Sequence, residues 1–201
     1  MRSTDPRARR LIEQRMVRRL RRGEDRKLLD DQAAVAHVRP AGLLFGLSPL
    51  GGGSPASLAD LEGLWAAVSG GDATAPFYIC SPRGAMYLAS RNSDGTPAFP
   101  DAGPLGGSLA GVPLLTSPAA GAKLILVDAA VVAVADDGLT VERSVNAAVQ
   151  QDDAPVAGAT TLVSGLQTGT VFLRFTRFVS WLLTAADGVG FIELPIAGSP
   201  A

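Results

Sequence analysis

Residues 160–194 read TTLVSGLQTGTVFLRFTRFVSWLLTAADGVGFIEL, and the reading of this stretch decides the fold. It is the longest run of the chain rich in β-branched and aromatic residues, the composition of a strand. From Thr170 to Trp181 the side chains alternate. Val171, Leu173, Phe175, Arg177, Val179 and Trp181 point one way; Thr170, Phe172, Arg174, Thr176, Phe178 and Ser180 point the other. Both sets mix apolar and polar residues, which predicts a long strand covered on both faces. A turn at Asp187-Gly188 leads to Val189–Leu194, the expected antiparallel partner. A long two-sided ribbon in a small protein implies a surface completed by another chain.

Outward from this ribbon, the 201 residues suffice for one large domain or two small ones with a real core. The apolar fraction of 47% against 18% charged excludes a disordered chain. With 23 glycines and 14 prolines, many turns and short elements are expected. The single Cys80 excludes a disulfide framework within the chain and fits a reducing compartment. No apolar run reaches the roughly 18 residues that span a bilayer, and no apolar h-region follows the N-terminal arginines. The expectation is a soluble intracellular product. Net charge is −1, but residues 1–27 hold 11 of the 18 basic residues and 4 acidic ones, and the remainder is correspondingly acidic. That split invites either an anionic partner for the first segment or contact between copies of the chain.

In chain order, Pro6 to about Leu29 predicts a helix, with Asp5 as a possible cap. Ile12, Met16 and Leu20 recur at i+4 beside Leu11 and Val17, giving a narrow apolar stripe on an arginine-covered rod. The arginines fit nucleic acid or an anionic membrane, or simply a solvated face that pairs with acidic surfaces. VRPAGLLFG (38–46) is a loop leading into a short apolar segment, and Leu47–Pro55, with Gly51, Gly52 and Gly53, is a flexible linker. Ser57 opens a helix whose packed face is Leu58, Leu61, Leu64, Trp65 and Val68, stopped by Gly70-Gly71. Phe77–Cys80 is a buried strand; Ser81-Pro82 then starts a helix with Met86-Tyr87-Leu88 on its packed side. A loop around Asp94-Gly95 follows. Val112–Thr116 and Lys123–Val127 are strands. Ala129–Ala135 and Leu139–Arg143 form an expected hairpin about Asp136-Asp137-Gly138, and 145–159 is irregular.

The residues exclude most familiar site chemistry. His37 and Cys80, one of each type, are too few for a zincin motif or a zinc finger. The run at Gly51 lacks the Gly-Lys-Ser/Thr ending of a phosphate loop. Gly106-Gly107-Ser108-Leu109-Ala110 only faintly resembles a nucleophile elbow, and the one histidine lies upstream of it. Asp136/Asp137 and Asp152/Asp153 fit turn formers; Cys80 fits inert core and His37 the surface. No catalytic, cofactor-binding or metal-binding residue is expected, and no cofactor.

The order of segments is familiar nonetheless. EDRKLLDD (24–31) with RPAGLLFG (39–46), ICSPRGAMYLASRNSDGTPAFP (79–100), SLAGVPLLTSP (108–118), LILVDAAVVAVADDGLTVERSVNAAVQQDDAP (124–155) and LQTGTVFLRFTRFVSW (166–181) occur in collinear order. Together they resemble the HK97-type major capsid proteins of tailed phages. The resemblance implies an α+β, HK97-like capsid fold. Residues 1–50 would be the spine helix and connecting loop of a peripheral domain, 51–158 an axial domain, and 159–201 a C-terminal ribbon returning to the peripheral domain. It implies a non-enzymatic structural subunit of a phage or prophage capsid, acting by self-association into capsomers around packaged DNA. In that family an N-terminal arm and an extension loop precede the long helix, so a truncated or prophage-remnant form, or a fragment of a longer chain, is expected. Partners would be other copies of the chain, with scaffold, protease and portal proteins of the same phage, non-specific packaged DNA and no membrane. The location would be a virion capsid assembled in the host cytoplasm. Candidate intersubunit contacts are Arg174, Arg177, Arg18 and Arg22, because the guanidinium fork suits carboxylates across an interface. For Arg174 and Arg177 an intrachain pair is the plain alternative. The rival readings are a nucleic-acid-binding module using the N-terminal helix and an encapsulin-like cellular shell protein.

Overall fold

The computed structural model describes residues 6–51, 58–93, 96–150 and 162–196. The expected rod is helix α1, Pro6–Leu28. Its less exposed positions include Glu13, Val17, Leu20, Glu24 and Leu28, spaced by three or four residues and so on one face. The sequence pattern put Ile12 and Met16 on the packed stripe. Both are exposed, with Leu11, because the covered arc is centred a fifth of a turn or more away. The expected cap at Asp5 lies outside the described residues.

Helix α2, Leu58–Ala67, buries Leu61 and Leu64, with Val68 just beyond its end. Its expected cap Ser57, and Gly52 and Gly53 of the linker, lie outside the described residues. A 3-10 turn at Ser69–Gly71 ends it, with Gly70 and Gly71 at positive φ, as the double glycine predicted. Strand β1 is Pro76–Cys80, and helix α3 is Pro82–Ala89. Ser81 Oγ accepts the Gly84 N–H at 3.1 Å, the cap expected of Ser-Pro. Ala85 and Leu88 form the buried face of α3, whereas Met86 is exposed. The sequence expectation for Met86 is thereby corrected: packing follows the i, i+3 pair.

Short strands follow: β2 (Asn92–Ser93) pairs with β3 (Thr96–Pro97), with the expected Asp94-Gly95 turn outside the described residues. Then come β4 (Ala102–Gly103), β5 (Gly106–Leu109), β6 (Val112–Thr116) and β7 (Lys123–Asp128). The rest of the chain gives β8 (Val132–Ser144), β9 (Ala148–Gln150), β10 (Leu162–Ser164), the single turn α4 (Gly165–Thr168), β11 (Phe172–Leu183) and β12 (Val189–Glu193). Asp152 and Asp153 lie outside the described residues. By compactness the chain forms two units, residues 1–20 with 136–179, and residues 21–135 with 180–201.

The second unit is built on a six-stranded sheet in the order β12-β7-β1-β6-β5-β4. Only β1 and β6 run parallel; the other neighbours are antiparallel. Strand β7, KLILVD, is buried from Leu124 to Asp128, as befits a continuous apolar run with both faces covered. Leu64, Val68, Tyr78, Leu88, Leu126 and Ile192 belong to one core. Strand β12 pairs with β7, Phe191 opposite Ile125, and not with the ribbon strand before it. The hairpin expected across Asp187-Gly188 is therefore overturned. Val189–Ile192 is buried throughout, and only a sheet covered on both faces satisfies four consecutive buried residues. α2 lies so close on β12 that a Cβ on Gly190 would stand 3.0 Å from Leu64 Cδ1 and 3.2 Å from Val68 Cγ2.

Asp128 closes this unit from the end of β7. Only 2% exposed, its carboxylate accepts the N–H groups of Thr74 (3.1 Å), Ala75 (3.0 Å) and Ala130 (3.0 Å) and the Ser69 hydroxyl (3.2 Å). These donors, led by Ala75 N–H, hold its carboxyl below the usual range despite burial.

Strands β8 and β11 form a separate two-stranded ribbon. Arg174 lies beside Glu142, Arg177 beside Asp136, and Thr184 N–H bonds Val131 C=O. The partner number falls as β11 advances, so the ribbon is antiparallel. The turn expected at Asp136-Asp137-Gly138 is absent: β8 runs straight through it. Gly138 does take a φ of 80° and donates its N–H to Asp136 Oδ1 at 2.9 Å. That local bond uses the Asp-x-Gly chemistry of a turn, while cross-strand pairing with β11 keeps the chain extended.

Candidate assembly surface

Alternation along β11 separates two unequal faces. Leu173, Phe175, Arg177 and Val179 are partly covered and Trp181 is buried. On the other face Phe172 and Thr176 are partly covered, while Arg174, Phe178, Ser180 and Leu182 are exposed, Phe178 at 71% and Leu182 at 66%. The expectation of cover on both faces is corrected: the second face is open from Phe178 to Leu182. Trp181 shows why the covered face is fixed: its indole N–H donates to Ala41 C=O at 2.7 Å, the partner a buried indole requires.

Arg177 belongs to the covered face. Its Nε donates to Asp136 Oδ1 at 3.0 Å and its Nη2 to Oδ2, a fork on one carboxylate. This arginine, with the Gly138 N–H second, holds the Asp136 carboxyl down at about 2. Arg174 stands on the open face, 75% exposed, with Glu142 Oε2 3.7 Å from its Nη1. So loose and wet a pair contributes little within the chain and leaves both groups available to a neighbour. Arg18 and Arg22 lie on the exposed side of α1. The structure thus brings Arg174 and Arg177 to one strand but to opposite faces.

Beside the ribbon, in the unit of residues 1–20 and 136–179, is a cleft of about 790 Å³. Ala147, Val149, Phe172 and Leu173 wall it, with Glu142 and the Arg143 and Arg174 guanidinium groups among the charged lining. Leu162 and Leu166 of the same unit are also exposed, at 64% and 75%. Exposed apolar groups in this number mark a contact surface. Sequence reading expected uncovered apolar side chains on the ribbon, Phe172, Phe175 and Phe178 among them; of these Phe178 is the exposed one, and Leu182 was missed. The available signal was that the Leu173–Trp181 set is the more apolar of the two.

The nucleophilic and titratable groups singled out in the sequence are placed otherwise. Cys80 is fully buried, and burial pushes its thiol up to about 11, so it stays a neutral core thiol. Ser108 lies within β5, in an antiparallel hairpin with β6, not at the strand-to-helix turn an elbow requires. His37 is exposed in the loop after α1 at a φ of 59°. Among the described residues no three acidic, histidine or cysteine side chains gather as metal ligands. Among them, too, no helix is long and apolar enough to cross a membrane.

No protein-family model and no curated protein matches the chain. Solved structures do. A chain of Gordonia phage Cozz superposes with a TM-score of 0.64 at 15% identity, over 92% of this chain and 63% of that one. The capsid of a native GTA particle gives 0.53 at 14% identity, over 92% and 65%. The holo-SrpI encapsulin complex from Synechococcus elongatus gives 0.52 at 13% identity, over 94% and 66%. The chain therefore spans less than two thirds of the length of each. At these identities the likeness is one of fold, and that fold is the HK97-type capsid fold which the order of the sequence segments resembles.

Proposed function

We propose that the chain is a structural subunit of a phage or prophage capsid and acts by self-association. One observation carries the reading: in a fold shared with shell proteins, β11 leaves an open face of Phe178 and Leu182 with Arg174 among them. An aromatic and an aliphatic anchor beside an arginine is the composition of an interface core. A neighbouring copy covers that face, and Arg174 exchanges its loose intrachain carboxylate for one on the neighbour. In this role its work is contact. Light scattering on the purified chain tests it. Association should rise with concentration, and Phe178→Ser with Leu182→Ser should leave a monomer of unchanged circular dichroism. A wild-type chain that stays monomeric at high concentration would refute the reading. The encapsulin likeness favours a second reading, a cellular shell; particles that enclose protein and no nucleic acid would support it.

A further inference from the structure

Between residues 15 and 26 one exposed arc of α1 is entirely arginine, with the exposed Ile12 and Met16 beside it. Arg15, Arg18, Arg19, Arg22 and Arg26 are all exposed, and their spacings of three and four residues place them within about a third of the helix circumference. The acidic residues of the helix stand elsewhere: Glu13 and Glu24 on the less exposed face, and Asp25 at its margin accepting the Ser117 hydroxyl at 2.8 Å. None of the five arginines takes part in an ion pair or hydrogen bond among the described residues. An ordinary solvated helix alternates charges, since like charges at i, i+4 cost about 0.2–0.5 kcal/mol per pair. A face that repels itself along about 17 Å of rigid helix is complementary to a regular polyanion. The helix also carries no aromatic residue on which an unpaired base could stack.

We infer that this arginine face of α1 binds the phosphate backbone of duplex DNA without regard to sequence. The inference does not depend on the assembly reading, since it uses a different surface. Five phosphate contacts give a log–log salt slope of about −4.5, a loss of several hundred-fold in affinity between 50 and 200 mM salt.

Anisotropy of a labelled 30-base-pair duplex, titrated with the full chain at several salt concentrations, tests this. Binding with a slope near −4.5 is expected. Changing Arg15, Arg18, Arg19, Arg22 and Arg26 together to Gln, a good helix former, should reduce affinity at least 100-fold with unchanged circular dichroism. The same five changed to Lys should retain binding, which separates lost charge from lost fold. Three results would overturn the inference. One is no duplex binding at 50 mM salt. Another is tighter binding to a single strand than to the duplex, or to phosphatidylserine vesicles in a manner abolished by Ile12→Ser with Met16→Ser. The third is a Gln variant that loses self-association but keeps its affinity for the duplex, which would assign the face to a second copy. The Phe178→Ser, Leu182→Ser chain should bind duplex as the wild type does at concentrations where both are monomeric.

Discussion

At the scale of single residues, two aspartates hold the chain in different ways. Asp128 satisfies three backbone N–H groups and a hydroxyl from inside the sheet unit. Asp128→Ala leaves those donors without a partner, and each buried orphan costs about 1–3 kcal/mol. Urea denaturation should show a loss on the order of 3 kcal/mol or more; a change within error would mean that water replaces the carboxylate. Asp136 works at the ribbon surface through Arg177. Both carboxyls are held below the ordinary value, so the unfolded chain binds their protons first as pH falls. Their contribution is complete above about pH 4 and is lost on acidification, for Asp136 down through about 2. Thermal melts between pH 5 and 2 should therefore fall, and Asp136→Asn should flatten the part of that fall due to the ribbon.

At the scale of elements, much was legible and the failures have causes. β6 was expected over its observed span, and β1 and β7 to within one residue, because short apolar runs between Gly, Pro and Ser leave no room for a helix. The Ser81 cap was legible because capping is local chemistry. The partner of β12 was not. Val189–Glu193 suits any apolar strand, and its pairing with β7 is decided by burial on both faces, a property of the finished sheet. The Asp136–Gly138 turn failed for a similar reason: the local bond formed, but a cross-strand partner overrode its usual consequence. Of the candidate site, the arginines and Phe178 were visible in sequence, whereas Leu182, and the partial cover of Phe172 and Phe175, required the strand's two faces to be told apart. The contact between α2 and β12 gives a direct check. Gly190→Ala forces Leu64 and Val68 aside, an overpacking cost of about 1–3 kcal/mol. Chemical denaturation should show it, and an unchanged midpoint would mean that α2 can slide on the strand.

At the scale of the whole molecule, the sequence is partitioned by charge. Residues 1–27 are strongly basic and the rest acidic, and the basic part is a helix with its acids turned from solvent. β11 instead exposes apolar side chains, Phe178 and Leu182. The resemblance found in the order of segments anticipated this fold because motif order records topology even where identity is as low as 15%.

The pairing of β12 with β7 has a consequence for synthesis on the ribosome. The strand that completes one side of the sheet lies some sixty residues downstream of its partner. Until it emerges, Leu124–Val127 present a bare apolar edge, and such an edge recruits other strands. The sheet unit therefore matures only once β12 has emerged, well after the other five strands of the sheet have left the tunnel. A chain stopped before Val189 should accumulate in the insoluble fraction, and adding the peptide 186–196 in trans during refolding should recover part of it. A soluble, cooperatively folding chain of 1–188 would show instead that the sheet matures without its last strand.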